Sequence, residues 1–141
     1  MSLRIGAVGV QKVSAKLLEN GFLVCLPIFD EGYDMISDWK GRLYRIQVKS
    51  TGGQKNMENR TKLKFLAARG PGHGAGARVN LPNLKETYSK NECDVFIFFH
   101  IPLDALFIVP RIRLPKTKSI YLAPNSLWRD NWDVLRNIKR G

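Results

Sequence analysis

The tightest constraint on this 141-residue chain is the run from Asp94 to Ile101, where every residue after the aspartate is apolar, aromatic or histidine. A segment that short, without a polar face at either period, needs cover on both sides, which is the situation of a central strand in a layered sheet. Leu106 to Val109 is expected to be its neighbour. A chain of this length with 44% hydrophobic residues can fill one ordinary core, so a single domain over residues 1–141 is expected.

The rest of the pattern supplies the other layers. From about Gly6 to Asn20, Val10, Val13 and Leu17, widened by Val8 and Leu18, form the apolar stripe of an amphipathic helix, and Gly21 is a stop signal. Phe22 to Leu26 reads as a strand closed by Pro27, and Tyr33 to Ser37 as a second. Asp38, Trp39, Lys40 and Gly41 then make a connecting turn. From Arg42 to Ser50 the alternation is clear: Tyr44, Ile46 and Val48 point one way, and Arg45, Gln47 and Lys49 the other. Near the end, Asn125 or Ser126 can cap a helix in which Trp128, Trp132 and Leu135 recur at helical spacing, the tryptophans reading as core anchors.

Charge narrows the partners. The formal net charge of +11, from 23 Lys and Arg against 12 Asp and Glu, makes a polyanion the natural partner, with nucleic acid ahead of a membrane surface or the ribosome. Two basic clusters stand out. Lys55, Arg60, Lys62, Lys64, Arg69 and Arg78 surround the glycine-rich stretch Gly70 to Gly76, which reads as a basic loop with a strand around Lys64 to Ala68. Arg111, Arg113, Lys116 and Lys118 would project from a loop or ribbon between Pro110 and Tyr121. The glycine spacings of phosphate-cradling loops are absent, and a solvated surface loop is the plain alternative. No apolar run approaches the roughly 20 residues that span a bilayer, and no secretory leader is evident, so a cytoplasmic location is expected. Cys25 and Cys93 form no paired motif and are expected to be buried core thiols. His73 and His100 lack the spacing of zinc sites.

The constellation that carries chemistry is Pro27, Asp30 and Asp34 followed by Gln47-Val48-Lys49. Adjacent strands lie about 4.8 Å apart, and residues two apart share a face, so a carboxylate on one strand meets an amide and an ammonium on the next. Asp34 would hold Mg²⁺, for which Mn²⁺ can substitute, and the Gln47 side-chain carbonyl and Val48 backbone carbonyl are further hard oxygen ligands. Lys49 would orient or help deprotonate an attacking water and stabilise the charge of phosphodiester cleavage. Asp30 and Glu31 rank second, as help for another cation or as plain solvation. Taken singly, Asp34 is an ordinary strand-end carboxylate, and Gln47 and Lys49 are the solvent face of an edge strand.

Taken together, Asp34, twelve residues, Gln47, one residue and Lys49, after a glycine-bearing helix, resemble the active-site core of the PD-(D/E)XK nucleases. Within that superfamily, Gly6 with Gln11-Lys12-Val13, the Gly32-Tyr33-Asp34 step and Ile46 to Ser50 are similar to the small cyanobacterial group I intron homing endonucleases of this fold. Archaeal Holliday junction resolvases share the arrangement more loosely. The resemblance implies an α/β (α+β) restriction-endonuclease-like core, a mixed central β-sheet flanked by helices. It implies a Mg²⁺-dependent endonuclease of the homing or restriction type acting on double-stranded DNA as a homodimer or homotetramer.

One position departs from the pattern. Family members commonly carry a Glu on the first helix, and the alignment puts Val10 there. Valine cannot ligate a cation, and Gln11 points about 100° away around the helix. Cleavage by this chain is therefore expected to be slowed or abolished, which makes a catalytically silent DNA-binding member of the fold one alternative, with a Holliday junction resolvase the other. Packing with Val13 and Leu17 accounts equally well for a valine at that position.

Overall fold

The computed structural model of the chain describes residues 2–29, 32–53, 62–67 and 93–139. The N-terminal helix, α1, spans Ser2–Glu19, starting four residues before the apolar stripe suggested. It buries Val13 and Leu17 and partly buries Val10. It ends where expected: Gly21 has φ 86°, its N–H donates to the Leu18 carbonyl, and the Phe22 N–H donates to the Leu17 carbonyl at 3.0 Å. These two bonds are the Schellman closure that a left-handed glycine permits.

Five strands form the main sheet: β1 (Leu23–Cys25), β2 (Met35–Trp39), β3 (Arg42–Thr51), β5 (Val95–His100) and β6 (Ala105–Pro110), in the order β1-β2-β3-β5-β6. Only the β3–β5 pair is parallel, so the sheet is mixed. A separate antiparallel ribbon pairs β4 (Leu63–Leu66) with β7 (Ser119–Leu122). The short closing helix, α2, spans Trp132–Arg136.

β5 is buried throughout, as the apolar run requires. Its side chains alternate between two cores. Val95, Ile97 and Phe99 join Ile46, Val48 and the residues of α1 and α2 on one face. Phe96 and Phe98 join Leu63, Phe65, Ile120 and Leu122 of the ribbon on the other. The helical face is completed by Arg136, whose guanidinium lies 4.6 Å from the Trp39 ring centroid and 5.4 Å from that of Phe22. Its Nη2 donates to the Asn20 carbonyl at 3.1 Å, tying the C-terminus to the end of α1. No helix among the described residues is long and apolar enough to cross a membrane.

Several expectations need correction. The first turn is shorter than read: Trp39 belongs to β2 and pairs with Arg42, leaving only Lys40 and Gly41, at φ 52° and 84°, as a two-residue turn. Positive φ at both positions matches the twist of a tight hairpin. Trp128 is not on the closing helix. The chain around it bridges to the edge of β6, with Ile108 N–H donating to the Trp128 carbonyl, and Asp130 at φ 48° separates it from α2. Trp128 and Trp132 are both core anchors, but of opposite faces. Neither Asn125 nor Ser126 caps α2, which begins after Asn131. Cys93 is buried, whereas Cys25 is exposed, because β1 is an edge strand and its outward face has no layer over it.

Candidate active site

Among the described residues, the ribbon packs mainly on the β5–β6 half of its face of the sheet. Register fixes which side chains of β2 and β3 point to the same face. Ser37 pairs with Tyr44, and both point into the helical core, so Ile36, Asp38, Leu43, Arg45, Gln47 and Lys49 point to the opposite side. Asp34 continues β2 by one residue on that same side. Asp34, Gln47 and Lys49 therefore share one face of two neighbouring strands, and Gln47 and Lys49 stand opposite Phe96 and Phe98 of β5.

Asp34 is held at both its main chain and its side chain. Its N–H donates to the Ile46 carbonyl at 2.8 Å, and its carboxylate Oδ2 accepts the Val48 N–H at 2.7 Å. The carboxylate thus takes the ladder position that a further residue of β2 would have filled. In an extended strand the N–H and C=O of one residue leave on the same side, so the Val48 carbonyl also faces the Asp34 side of β3. The sequence places Gly32 two residues earlier, with φ 87°, where a left-handed turn swings the chain into β2. All three site side chains are half-buried, so each keeps part of its surface accessible.

The donor set is one carboxylate, one side-chain amide and one peptide carbonyl, all hard oxygens, and it suits a Mg²⁺-like cation rather than a soft metal. Among the described residues no group of three His, Cys, Asp or Glu could hold an ion. A cation here would rely on water and phosphate oxygens for its remaining positions. Asp30 and Glu31 lie outside the described residues.

Arg45 shares the face but is committed elsewhere. Its backbone N–H and its Nη2 reach the Asp94 carboxylate at 2.8 and 3.2 Å. The hydrogen bond to that carboxylate holds the guanidinium above its usual range, more than the opposing burial lowers it. Asp94 is therefore an internal partner that holds the Arg45 guanidinium in place. The pairing was missed in the sequence, although a lone acid at the mouth of a fully apolar strand is a signal that something must neutralise it.

Val10 is partly buried against the helical core, alongside Val13 and Leu17. Gly9 packs so closely on β3 that a Cβ there would overlap the Ser50 side chain. One turn further on, the Ser14 hydroxyl lies 3.9 Å from the Met35 sulfur. Val10 thus lies on the helical side of the sheet, one turn before Ser14. Gln11 is exposed.

Of the basic residues, Lys62, Lys64, Arg113, Lys116 and Lys118 are exposed and Arg111 is half-buried; Lys64 is on the ribbon, Arg111 and Arg113 on the 3-10 turn Arg111–Arg113, and the other three next to the ribbon strands in sequence. Lys55, Arg60, Arg69 and Arg78, together with His73 and the glycine-rich stretch, lie outside the described residues. His100 is buried, its Nδ1 accepting the Leu103 N–H at 3.3 Å.

The sequence profile of the PD-(D/E)XK endonuclease family matches residues 2–127. No curated protein matches the chain significantly. Solved structures share its fold, among them these two. A bacterial homing endonuclease, I-Ssp6803I, is 18% identical with a TM-score of 0.67, covering 96% of this chain and 91% of its own. The Holliday junction resolvase Hjc of the archaeal hyperthermophile Archaeoglobus fulgidus is 13% identical with a TM-score of 0.55, covering 96% of this chain and 98% of its own.

Proposed function

Because the chain belongs to the PD-(D/E)XK endonuclease family, we propose that it is a divalent-metal-dependent endonuclease of the homing or restriction type, with Asp34, Gln47 and Lys49 around the scissile phosphate of duplex DNA. The observation that carries this reading is the Asp34 carboxylate tied to the Val48 N–H, on the face shared with Gln47 and Lys49.

The cation would be held by the Asp34 carboxylate, the Gln47 side-chain carbonyl and the Val48 backbone carbonyl. Mg²⁺ or Mn²⁺ there supplies Lewis-acid polarisation of a phosphoryl oxygen and acidifies bound water. Lys49 orients the attacking water and offsets the negative charge that builds on the phosphoryl oxygens. A P–O bond forms to the water oxygen, which gives up a proton, as the P–O bond to one deoxyribose oxygen breaks and the leaving oxygen takes up a proton. The exposed lysines and arginines of the ribbon region supply phosphate contacts, in keeping with the net charge of +11.

Two further observations shape the reading. Cutting both strands of a duplex calls for two-fold related copies, as a homodimer or homotetramer. The β1 edge favours such an assembly, since Leu23, Leu26, Ile28 and Phe29 beside it are all exposed. Val10 favours a second reading, that of a DNA-binding member of the fold silenced by loss of a ligand position.

The test is cleavage of linear duplex, four-way-branched and single-stranded DNA with Mg²⁺, with Mn²⁺ and with a chelator. Metal-dependent cutting of linear duplex is expected, from this chain or after Val10→Glu. Preference for the branched substrate would favour a junction resolvase. Binding without cleavage by either form would favour the silent binder.

A further inference from the structure

The β4–β7 ribbon has two unlike faces. Leu63, Phe65, Ile120 and Leu122 are buried against the sheet, with the Phe65 ring 5.2 Å from that of Phe98. The outward face carries Lys64 directly opposite Tyr121, and Leu66 opposite Ser119. Tyr121 is 57% exposed and Leu66 47%. Lys62, Lys116 and Lys118 flank this face and are exposed. The segments that build it, 62–67 and 111–122, contain no acidic residue.

An aromatic ring and a leucine at the centre of a cationic, acid-free ribbon are more than phosphate binding needs, since lysines alone would satisfy that. They suit a surface that is positive at its rim and makes shaped contacts at its centre. A two-stranded ribbon fits the B-DNA major groove, which is about 12 Å wide. Its position agrees. The ribbon packs on Phe98, which pairs in register with Lys49, so ribbon and site lie side by side on one face of the sheet. A phosphate at the site is the lip of a groove, and the floor of that groove would lie over the ribbon.

We infer that the outward face of the β4–β7 ribbon enters the DNA major groove and reads base edges through Lys64, Leu66 and Tyr121. This rests on the nuclease reading and extends it, by assigning sequence preference to paired strands. Lys64 donates to guanine O6 or N7, the Tyr121 hydroxyl can donate or accept, and Leu66 suits the thymine methyl group. Duplex RNA is excluded as an equal ligand, because side chains cannot read its deep, narrow major groove.

The experiment retains a duplex DNA pool with a randomised centre on the full chain, in the presence of a chelator, and sequences what is bound. Cleavage is not read, so a chain silenced at Val10 serves equally well. The unaltered chain should enrich a short contiguous preference. Lys64→Gln and Tyr121→Ser should each weaken discrimination at one or two positions by about 5- to 100-fold. Lys64→Gln should also lower the salt slope of binding by about one unit, while Tyr121→Ser leaves it unchanged. Because both side chains are exposed, folding should be unaffected. No preference in the unaltered chain, an unchanged preference in both variants, or equal affinity for duplex RNA would each overturn the inference while leaving the nuclease reading standing. Failure of the unaltered chain to bind any duplex DNA would overturn both.

Discussion

The Asp34 carboxylate accepts the main-chain N–H of Val48 at 2.7 Å, so the acid is tied to the strand that carries Gln47 and Lys49. Asp34→Asn keeps an oxygen acceptor for that N–H but removes the anion, whereas Asp34→Ala removes both. In urea unfolding, Asn should cost under about 1 kcal/mol and Ala about 1.5–3 kcal/mol, the range for a hydrogen bond to a charged group. Both should abolish cleavage in any active form while leaving DNA affinity within about tenfold. Turnover that survives Asp34→Asn would remove the acid from the proposed chemistry.

The residues that were legible in the sequence were those governed by local geometry. The Arg42 to Ser50 alternation, the doubly covered strand after Asp94 and the stop at Gly21 follow from pleat, burial and positive φ, which act over a few residues. What was not legible depends on distant partners. Trp39 reads as part of a turn because Asp38, Lys40 and Gly41 surround it, yet its ring is fixed by Phe22 and Arg136. Trp128 keeps helical spacing with Trp132 but is claimed by the edge of β6. Asp34, Gln47 and Lys49 fall on one face because a period of two is enough to say so. That the ribbon packs beside this face could not be read, since it depends on β4 pairing with a strand more than fifty residues later. The same pairing makes Tyr121, which no motif singled out, a surface residue next to Lys64.

Gly9 sets how close α1 lies to β3. Ordinarily glycine to alanine within a helix gains up to about 1 kcal/mol. Here the added Cβ would overlap the Ser50 side chain, and overpacking of this kind costs about 1–3 kcal/mol. Gly9→Ala should therefore lower the urea midpoint. A raised midpoint would mean that the helix stands further from the strand.

Burial of His100 pushes its pKa below the ordinary 6.5. Above that value the folded and unfolded chains both hold it neutral, and it contributes no pH dependence. As pH falls below 6.5, the unfolded state binds a proton that the folded state resists, so stability falls until the folded pKa is passed. His100→Gln should flatten the decline in thermal midpoint between about pH 6.5 and pH 5. An unchanged decline would assign acid sensitivity to other groups.

The exposed Ile28 and Phe29 beside the β1 edge bear on assembly. Sedimentation should find the unaltered chain as a dimer or tetramer, and Ile28→Ser with Phe29→Ser should shift it toward monomer. A monomeric unaltered chain at micromolar concentration would remove this edge from the account.

The central claim is that Lys49 acts with Asp34 and Gln47 on a phosphodiester. It is tested most directly by nicking of a supercoiled plasmid library with a randomised insert, comparing Val10→Glu with Val10→Glu plus Lys49→Ala, both shown to be folded by circular dichroism. With Mg²⁺ the single variant should convert supercoiled DNA to open or linear forms, and the double variant should leave it intact. Equal cutting by both, or no cutting by the single variant with Mg²⁺ or Mn²⁺, would contradict the account.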